Sequence, residues 1–499
     1  MASSYPPSHL LLLLGVLLLA VAGKSSSQST SGDQAATLLA IKKEWGNPRQ
    51  LVSWDPIANA DHCTWTGVVC GRNERVVTGI SLPMLNINGK VPESLCDLPS
   101  LTHLDLSYNN LTGGFPGAQL YACSQLRFLD LSCNAFHGVL PDDISRLSQA
   151  MEHLNLSANY FGGAVPAAMA ELPALRLEQL TLAWNPFAPA PAPPKFAKLA
   201  NLSYLWMSEM NMTGEIPKAY SSLVNLQLIA ITKNDLTGEI PAWVWQRPKL
   251  EYLYLFANGL TGKLPRKIRS VNLIELDVSS NHLTGEIPED IGNLKNLTIL
   301  FMYTNQLTGI IPASIAMLLN LRDIRLHENK LSGELPVELG KHSPLSNLEI
   351  SINNLSGPLP ESICANGMLD DIVVSNNSLS GELPKNLTDC VLLNNLMISN
   401  NSFHGKFPEK IWSLPKLTKL VIESNGFTGF LPAKIPDNIR WIDMGNNKFS
   451  GALPTSATGL QVFRAANNLL SGELPADMSK FANLTRLVLR GNQLTGCIT

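Results

Sequence analysis

Residues 321–336 read LRDIRLHENKLSGELP, and residues 250–265 read LEYLYLFANGLTGKLP. Both obey one grammar, LxxLxLxxNxLxGx-apolar-P. Its closing proline returns at Pro92, Pro116, Pro141 and Pro166, then at Pro217, Pro241, Pro265, Pro288, Pro312, Pro336, Pro360, Pro384, Pro408, Pro432, Pro454 and Pro475, most often 24 residues apart. With a degenerate first copy ending at Pro92, an irregular one after Leu177 (NPFAPAPAPPKF) and a last one reaching Thr499, eighteen copies are expected. In LxxLxL the apolar residues alternate, so a short strand buries them and turns the intervening residues to the opposite face. The asparagine, Asn258 or Asn329 in these two copies, carries an amide able to bond the backbone of its own turn and of the next coil. Gly262 or Gly333 lets the chain turn where a Cβ would crowd, and the apolar-Pro pair begins an extended stretch that needs no ladder donor.

One such coil cannot bury its own leucines; stacking buries them and leaves two ends to be capped. Period and pattern are those of a leucine-rich repeat. The expected fold is an α/β solenoid with short parallel strands on a concave face and an N-terminal helical cap. The chain is 45% hydrophobic and 15% charged, enough for a long core, and its formal net charge of −3 carries no overall signature of nucleic-acid or other polyanion binding.

The N-terminus sets the compartment. Leu10 to Ala22 read LLLLLGVLLLAVA, an apolar run closed by small residues, with Ala20 and Ala22 placed as an A-x-A cleavage site. Residues 1–22 are therefore expected to be a secretory signal peptide and 23–32 a Ser-rich linker. Residues 33–75 are read as the N-terminal cap and 76–499 as the repeats, without a C-terminal cap. No later stretch reaches the ~20 apolar residues a membrane span needs, so the mature chain is expected outside the cytoplasm, secreted or at the outer face of the plasma membrane. In the cap, Leu38, Ile41 and Trp45 stand at helical spacing and can cover the first coil.

Eight cysteines accompany this compartment. Cys63 and Cys70 bracket Trp65 in DHCTWTGVVC and are expected to bridge, closing the open end of the core. Cys96 and Cys364 lie five residues before a first core leucine, and Cys123 and Cys390 three residues before the next, so the register implies the bridges Cys96–Cys123 and Cys364–Cys390. Cys133 and Cys497 remain over, as free thiols or partners in an intermolecular bond. Ten N-x-S/T sequons fit a glycoprotein: Asn110, Asn155, Asn201, Asn211, Asn296, Asn354, Asn376, Asn386, Asn400 and Asn483. Asn376 and Asn400 fall at the concave edge, where a glycan would exclude a ligand.

The third, fifth, seventh and eighth positions of each LxxLxLxxN line the concave face. In the six copies from Leu177 to Asn305 these positions hold Trp184, Tyr204, Trp206, Tyr252, Tyr254, Phe256, Phe301 and Tyr303. The other twelve copies show three aromatics, Tyr108, Phe128 and Trp441, so strand propensity alone does not account for the concentration. Glu209, Glu275 and Asp277 lie among the rings, followed by Asp323, Arg325, His327 and Glu328, with Lys233 a lone cation. This face is expected to accept an extended peptide, apolar or proline residues on the rings and a basic or amino group on the acids. Glu209, Glu275, Asp277 and Arg325 join the eight aromatics as the expected ligand contacts. Nucleophile elbow, H-E-x-x-H and kinase signatures are missing, so no enzyme, cofactor or metal is expected.

The cap motif CTWTGVVC, the LSGELP and LTGEIP repeats, and NPFAP followed by LWMSEMNMTGEIP resemble the ectodomains of plant leucine-rich-repeat receptor kinases, closest to the HAESA-like group. The resemblance covers nearly all of the mature chain. It implies a plant-type superhelix that binds a small secreted peptide on its concave face and signals with a short leucine-rich-repeat co-receptor kinase. Members of that group grip the peptide's terminal carboxylate with an Arg-x-Arg pair. The matching strand here is NNLMISNN, with Asn395 and Met397 at the two positions, so that clamp is absent. No transmembrane segment or kinase stands in this chain, which is expected to be either a truncated receptor or a secreted receptor-like protein. The alternative is a soluble inhibitor of a pathogen's cell-wall-degrading enzyme, similar to polygalacturonase-inhibiting proteins.

Overall fold

The computed structural model describes residues 31–72 and 75–496; the expected signal peptide and Cys497 lie outside them. The repeat leucines build one continuous core. Leu321, Ile324 and Leu326 are at most 1% exposed, while the alternating Asp323 and Arg325 stay half-buried on the other face. Nineteen short strands form the concave sheet. The first, Val68–Cys70, runs antiparallel to Val77–Ser81, and the following strands add in parallel in chain order. Register is strict: Leu253 faces Leu276, which faces Leu300.

The convex side is built from 3-10 turns rather than α-helices. Pro288 and Pro312 hold extended backbone, and each opens a five-residue 3-10 turn, Glu289–Asn293 and Ala313–Met317. So few residues between two extended segments cannot nucleate an α-helix. Among the described residues the α part of the expected α/β fold is thus confined to the cap helix Ser31–Glu44 and the four-residue Gly117–Leu120. The cap helix is described from Ser31, and Gln34 fixes it to the first coil: it is buried, and its Oε1 accepts from the Val77 amide at 2.7 Å, docking the helix onto the sheet. Leu38, Ile41 and Trp45 cover the first coil, Trp54 and Trp65 stack behind them, and Cys63–Cys70 fastens the loop that carries Trp65. Cys96–Cys123 and Cys364–Cys390 link neighbouring coils, and Cys133 is free and half-buried.

The asparagines form a ladder. Asn281 Oδ1 accepts from Leu260 N at 3.0 Å, and its Nδ2 donates to Leu255 O of a preceding coil and to its own turn. Two described coils lack the ladder asparagine, the first at Leu85 and a later one at Met210; Asn211 donates instead to Phe187 O at 2.9 Å. The residue just before the ladder position is left-handed in successive coils, including Trp184, Glu209, Lys233 and Ser280. The glycine of the turn is needed on two counts: Gly333 has φ +78, and a Cβ on it would lie 2.8 Å from Ile310 Cγ2. In the last described coil Leu484, Leu489 and Leu494 are half-buried and Leu487 is 40% exposed. Among the described residues no helix is long and apolar enough to cross a membrane.

Candidate functional site: the concave face

Parallel register converts the sequence positions into rows that cross the strands. One row runs Tyr204, Leu228, Tyr252, Glu275, Ile299, Asp323, and the next runs Trp206, Ala230, Tyr254, Asp277, Phe301, Arg325. The eight expected aromatics all lie on this face, each half-buried because its neighbours cover part of it. Trp184 meets Trp206 edge to face at 4.9 Å, Tyr252 lies 6.3 Å from Tyr254, and Phe301 lies 6.2 Å from Tyr303. Phe256 sits one register point beyond Tyr254 on the same face. Such pairs hold the rings in place before any ligand arrives.

The charged residues are more committed than their sequence positions suggest. Lys233 is no lone cation: its Nζ lies 2.6 Å from Glu209 Oε1. Left-handed backbone in adjacent coils projects both side chains along the same rim. Glu275 accepts a 2.6 Å hydrogen bond from Tyr254 Oη; burial first, then the Glu275 charge, raise that phenol's pKa and keep it a donor. Asp277 is 8% exposed, and its Oδ1 accepts from both N and Oγ of Ser279. It therefore serves its own turn and is withdrawn from the expected ligand contacts. Arg325 forms a bidentate pair with Asp323 on the same strand, at 2.9 and 3.0 Å, lies 4.8 Å from the Phe301 ring centroid and has Glu349 at 3.6 Å. Burial raises the Glu349 carboxyl against the pull of Arg325, and Asp323 and Asp371 raise it further. His327 stacks on Tyr303 at 4.5 Å, and burial lowers its pKa.

Counting only Phe, Tyr and Trp missed part of the face. His103, Phe128 and His153 stack across three adjacent strands with centroids 4.1 and 4.2 Å apart. His153 Nδ1 reaches Gln179 Oε1 at 2.5 Å, its Nε2 has no partner, and burial takes its pKa down to about 4. The rings are neutral and extend the aromatic surface toward the N-terminus; treating histidine as a ring at the third position would have found them. Trp441, the outlying aromatic, stands between Lys419 Nζ at 5.8 Å and the Arg464 guanidinium at 5.4 Å. At the two positions where the HAESA-like pair would stand, Asn395 donates to Asp371 Oδ1 and Met397 is half-buried.

The sequons divide by what their amides do. Asn110, Asn296, Asn354, Asn376, Asn400 and Asn483 are exposed, although Asn400 donates to Asn376 and Asn483 to Thr458 O. Asn201 is half-buried. Asn155 donates to buried Asp130 and accepts from Ser157, Asn211 fills the ladder break at Met210, and Asn386 donates to Glu361 O. Each of these three amides donates one hydrogen bond to a neighbouring coil, and a glycosylated amide would retain a single N–H for it. His62 lies beside Cys63 and Cys70, but both sulfurs are taken by the disulfide and His62 Nε2 contacts the Arg75 carbonyl at 3.0 Å.

Comparison with known proteins bears on the fold and the family. The leucine rich repeat N-terminal domain model matches residues 31–71, and the leucine rich repeat model matches 100–118, 125–147 and 272–294. In Arabidopsis thaliana, a leucine-rich repeat receptor-like protein kinase is 38% identical over 99 residues, 19% of this chain and 11% of that protein. Polygalacturonase inhibitor 2 of the same plant is 40% identical over 108 residues, 21% of this chain and 31% of the inhibitor. The matched segment thus spans well under two thirds of either relative. Among solved structures, the Arabidopsis receptor kinase HAESA, in complex with the peptide hormone IDA and the co-receptor SERK1, superposes with a TM-score of 0.83 at 31% identity, covering 93% of this chain and 87% of that one. PEPR1 with AtPEP1 gives 0.78 at 30% identity, covering 93% and 66%. Near end-to-end agreement in fold and sequence places this chain in the family of plant leucine-rich-repeat receptor ectodomains.

Proposed function

We propose that the concave face from Trp184 to Arg325 is the recognition surface for a small secreted peptide, and that the protein works with a short leucine-rich-repeat co-receptor kinase at the outer face of the plasma membrane. The observation that carries this reading is the aromatic surface itself. Eight half-buried rings lie on strands whose other concave positions are small or polar apart from Leu228 and Ile299, and water-facing aromatic area of that extent is a recognition feature. Asp323 and Glu349 follow the rings, with Arg325 already paired, so the ligand's cationic group falls beyond its apolar segment. The HAESA structure was solved with a peptide hormone and a co-receptor, which supports the same class here.

The test is calorimetric titration of the best binder from a randomised peptide library. Tyr254→Ala and Trp206→Ala are expected to weaken binding by about 30-fold, the value of ~2 kcal/mol for a truncated aromatic anchor. Trp441→Ala, whose ring is occupied by Lys419 and Arg464, should leave affinity nearly unchanged. Wild-type affinity in both Tyr254→Ala and Trp206→Ala would move the site elsewhere. The similarity to a polygalacturonase inhibitor favours a second reading, an inhibitor of a cell-wall-degrading enzyme; inhibition of a polygalacturonase by the purified protein, with no peptide bound, would establish it.

A further inference from the structure

The net charge of −3 hides a local excess on the convex side, away from the concave face. Between Pro241 and Glu275 there is one acid, Glu251, against Arg247, Lys249, Lys263, Arg266, Lys267 and Arg269. Lys249, Arg266, Lys267 and Arg269 are exposed, and none of them forms an ion pair among the described residues. Lys218, exposed and likewise unpaired, follows Pro217 as Arg266 follows Pro265, two coils away, with exposed Ala242 at that point of the coil between them. The acids Glu289 and Asp290 of the next coil bound the patch, and Asp290 Oδ2 is engaged by the Ile268 amide at 3.2 Å.

Local structure shows why the charges stand out. The coil starting at Leu250 is one residue shorter than the usual 24, since Leu273 begins the next. Its convex stretch Arg266–Asn272 forms no 3-10 turn, whereas its neighbours do at Val244–Gln246 and Glu289–Asn293. Behind the exposed cations lies a buried one. Arg247 is 9% exposed and donates through Nη2 to Ser221 O. Its guanidinium lies 5.3 Å from the Trp243 ring centroid, and neither its Nε nor the Trp243 Nε1 has a partner. Burial pushes the Arg247 pKa down with no acid to oppose it. A buried cation without a counter-charge is costly and is relieved by an anion.

We propose that this patch binds a linear acidic polysaccharide, its anionic groups pairing with the cations of successive coils. Arg247 and Lys249 belong to one coil and Arg266, Lys267 and Arg269 to the next; with coils about 5 Å apart they make a band of positive charge across two adjacent coils, suited to a chain that carries several anions. The exposed neighbours are Ala242, Gln246, Pro248 and Asn272, with Val224 and Val271 the nearby exposed apolar side chains; exposed aromatic anchors of a protein interface are lacking, and two small valines are too little to insert into lipid. The binding is electrostatic and independent of the concave-face reading.

The probes are alginate oligomers, a linear polyuronate, and dextran sulfate of equal length, with neutral dextran and anionic lipid vesicles alongside, at about 50 and about 200 mM salt. Both polyanions are expected to bind at low salt and to weaken steeply as salt rises; alginate binding alone would assign the site to carboxylates. The triple variant Arg266→Gln, Lys267→Gln, Arg269→Gln should lose about tenfold or more in affinity and flatten the salt dependence. Arg247→Met should also weaken binding. The matched triple Lys330→Gln, Lys385→Gln, Lys448→Gln, exposed elsewhere, should bind as wild type with the same change in net charge. Absence of glycan binding at low salt, equal binding of neutral dextran, vesicle binding in place of glycan binding, or equal loss in both triples would each overturn the proposal.

Discussion

Asp277 and Asn155 occupy the same point of their coils, and each accepts from the backbone N and hydroxyl of the serine two residues on, Ser279 and Ser157. The fold needs an oxygen at this point, and a negative charge is optional. Burial raises Asp277 to about 6, opposed by the Ser279 hydrogen bonds and the Arg325 charge. An unfolded aspartate titrates near ~4, so the native state holds more protons between about pH 4 and 6 and stability falls as pH rises through that window. Asp277→Asn, which keeps both serine bonds, should therefore gain about 1–3 kcal/mol at neutral pH, and the gain should vanish below about pH 4. Thermal unfolding of the two proteins across that range measures it; a loss at pH 7 would mean that the charge is needed to position Arg325. Sequence reading counted Asp277 as a ligand acid because the fifth position always faces the concave side. What separates it from Glu275 is the serine two residues later together with cover from neighbouring rings, and only the second requires coordinates.

Each coil is held laterally by its strand and by its ladder asparagine. Asn281 Nδ2 donates to Leu255 O at 3.0 Å and its Oδ1 accepts from Leu260 N at 3.0 Å, both inside the core. Asn281→Ala leaves those backbone groups unpaired and should cost about 2–4 kcal/mol, read as lost amide-exchange protection in the strand Glu275–Asp277 and its neighbours. Asn211→Ala removes one exposed side chain's bond to Phe187 O and should cost about 1 kcal/mol; a cost as large as that of Asn281→Ala would contradict this account. Strands, turns and the asparagine ladder were legible because the 24-residue period repeats one solution, and LWMSEMNMTGEIP already shows the asparagine displaced by one residue. The 3-10 character of the convex turns and the pairing of Lys233 with Glu209 were not legible. Both depend on distances between coils, which a one-dimensional pattern does not carry. Overall charge likewise concealed the basic convex coils, because acids elsewhere cancel them in the sum.

In a solenoid each coil touches only its neighbours, so stability is a chain of interface terms and the ends decide where opening begins. At one end the helix Ser31–Glu44, the stacked Trp54 and Trp65, and the Cys63–Cys70 bridge seal the first coil. At the other, the last described coil leaves Leu487 40% exposed beside the half-buried Leu484, Leu489 and Leu494. Leucine area facing water lacks the burial term of about 25 cal/mol per Å² that each interior coil receives from two neighbours. In a recombinant protein ending at Thr499, amide exchange should be fastest at Arg486–Val488, slow over the next two coils inward, and reach a plateau in the interior strands. The same exposed leucines should drive self-association at high concentration, and Leu487→Glu should suppress it while leaving exchange in the strand Tyr252–Tyr254 unchanged. If Arg486–Val488 instead exchanges as slowly as that interior strand, and association is untouched by Leu487→Glu, the last interface carries as much stability as the others and the nearest-neighbour account fails at this end.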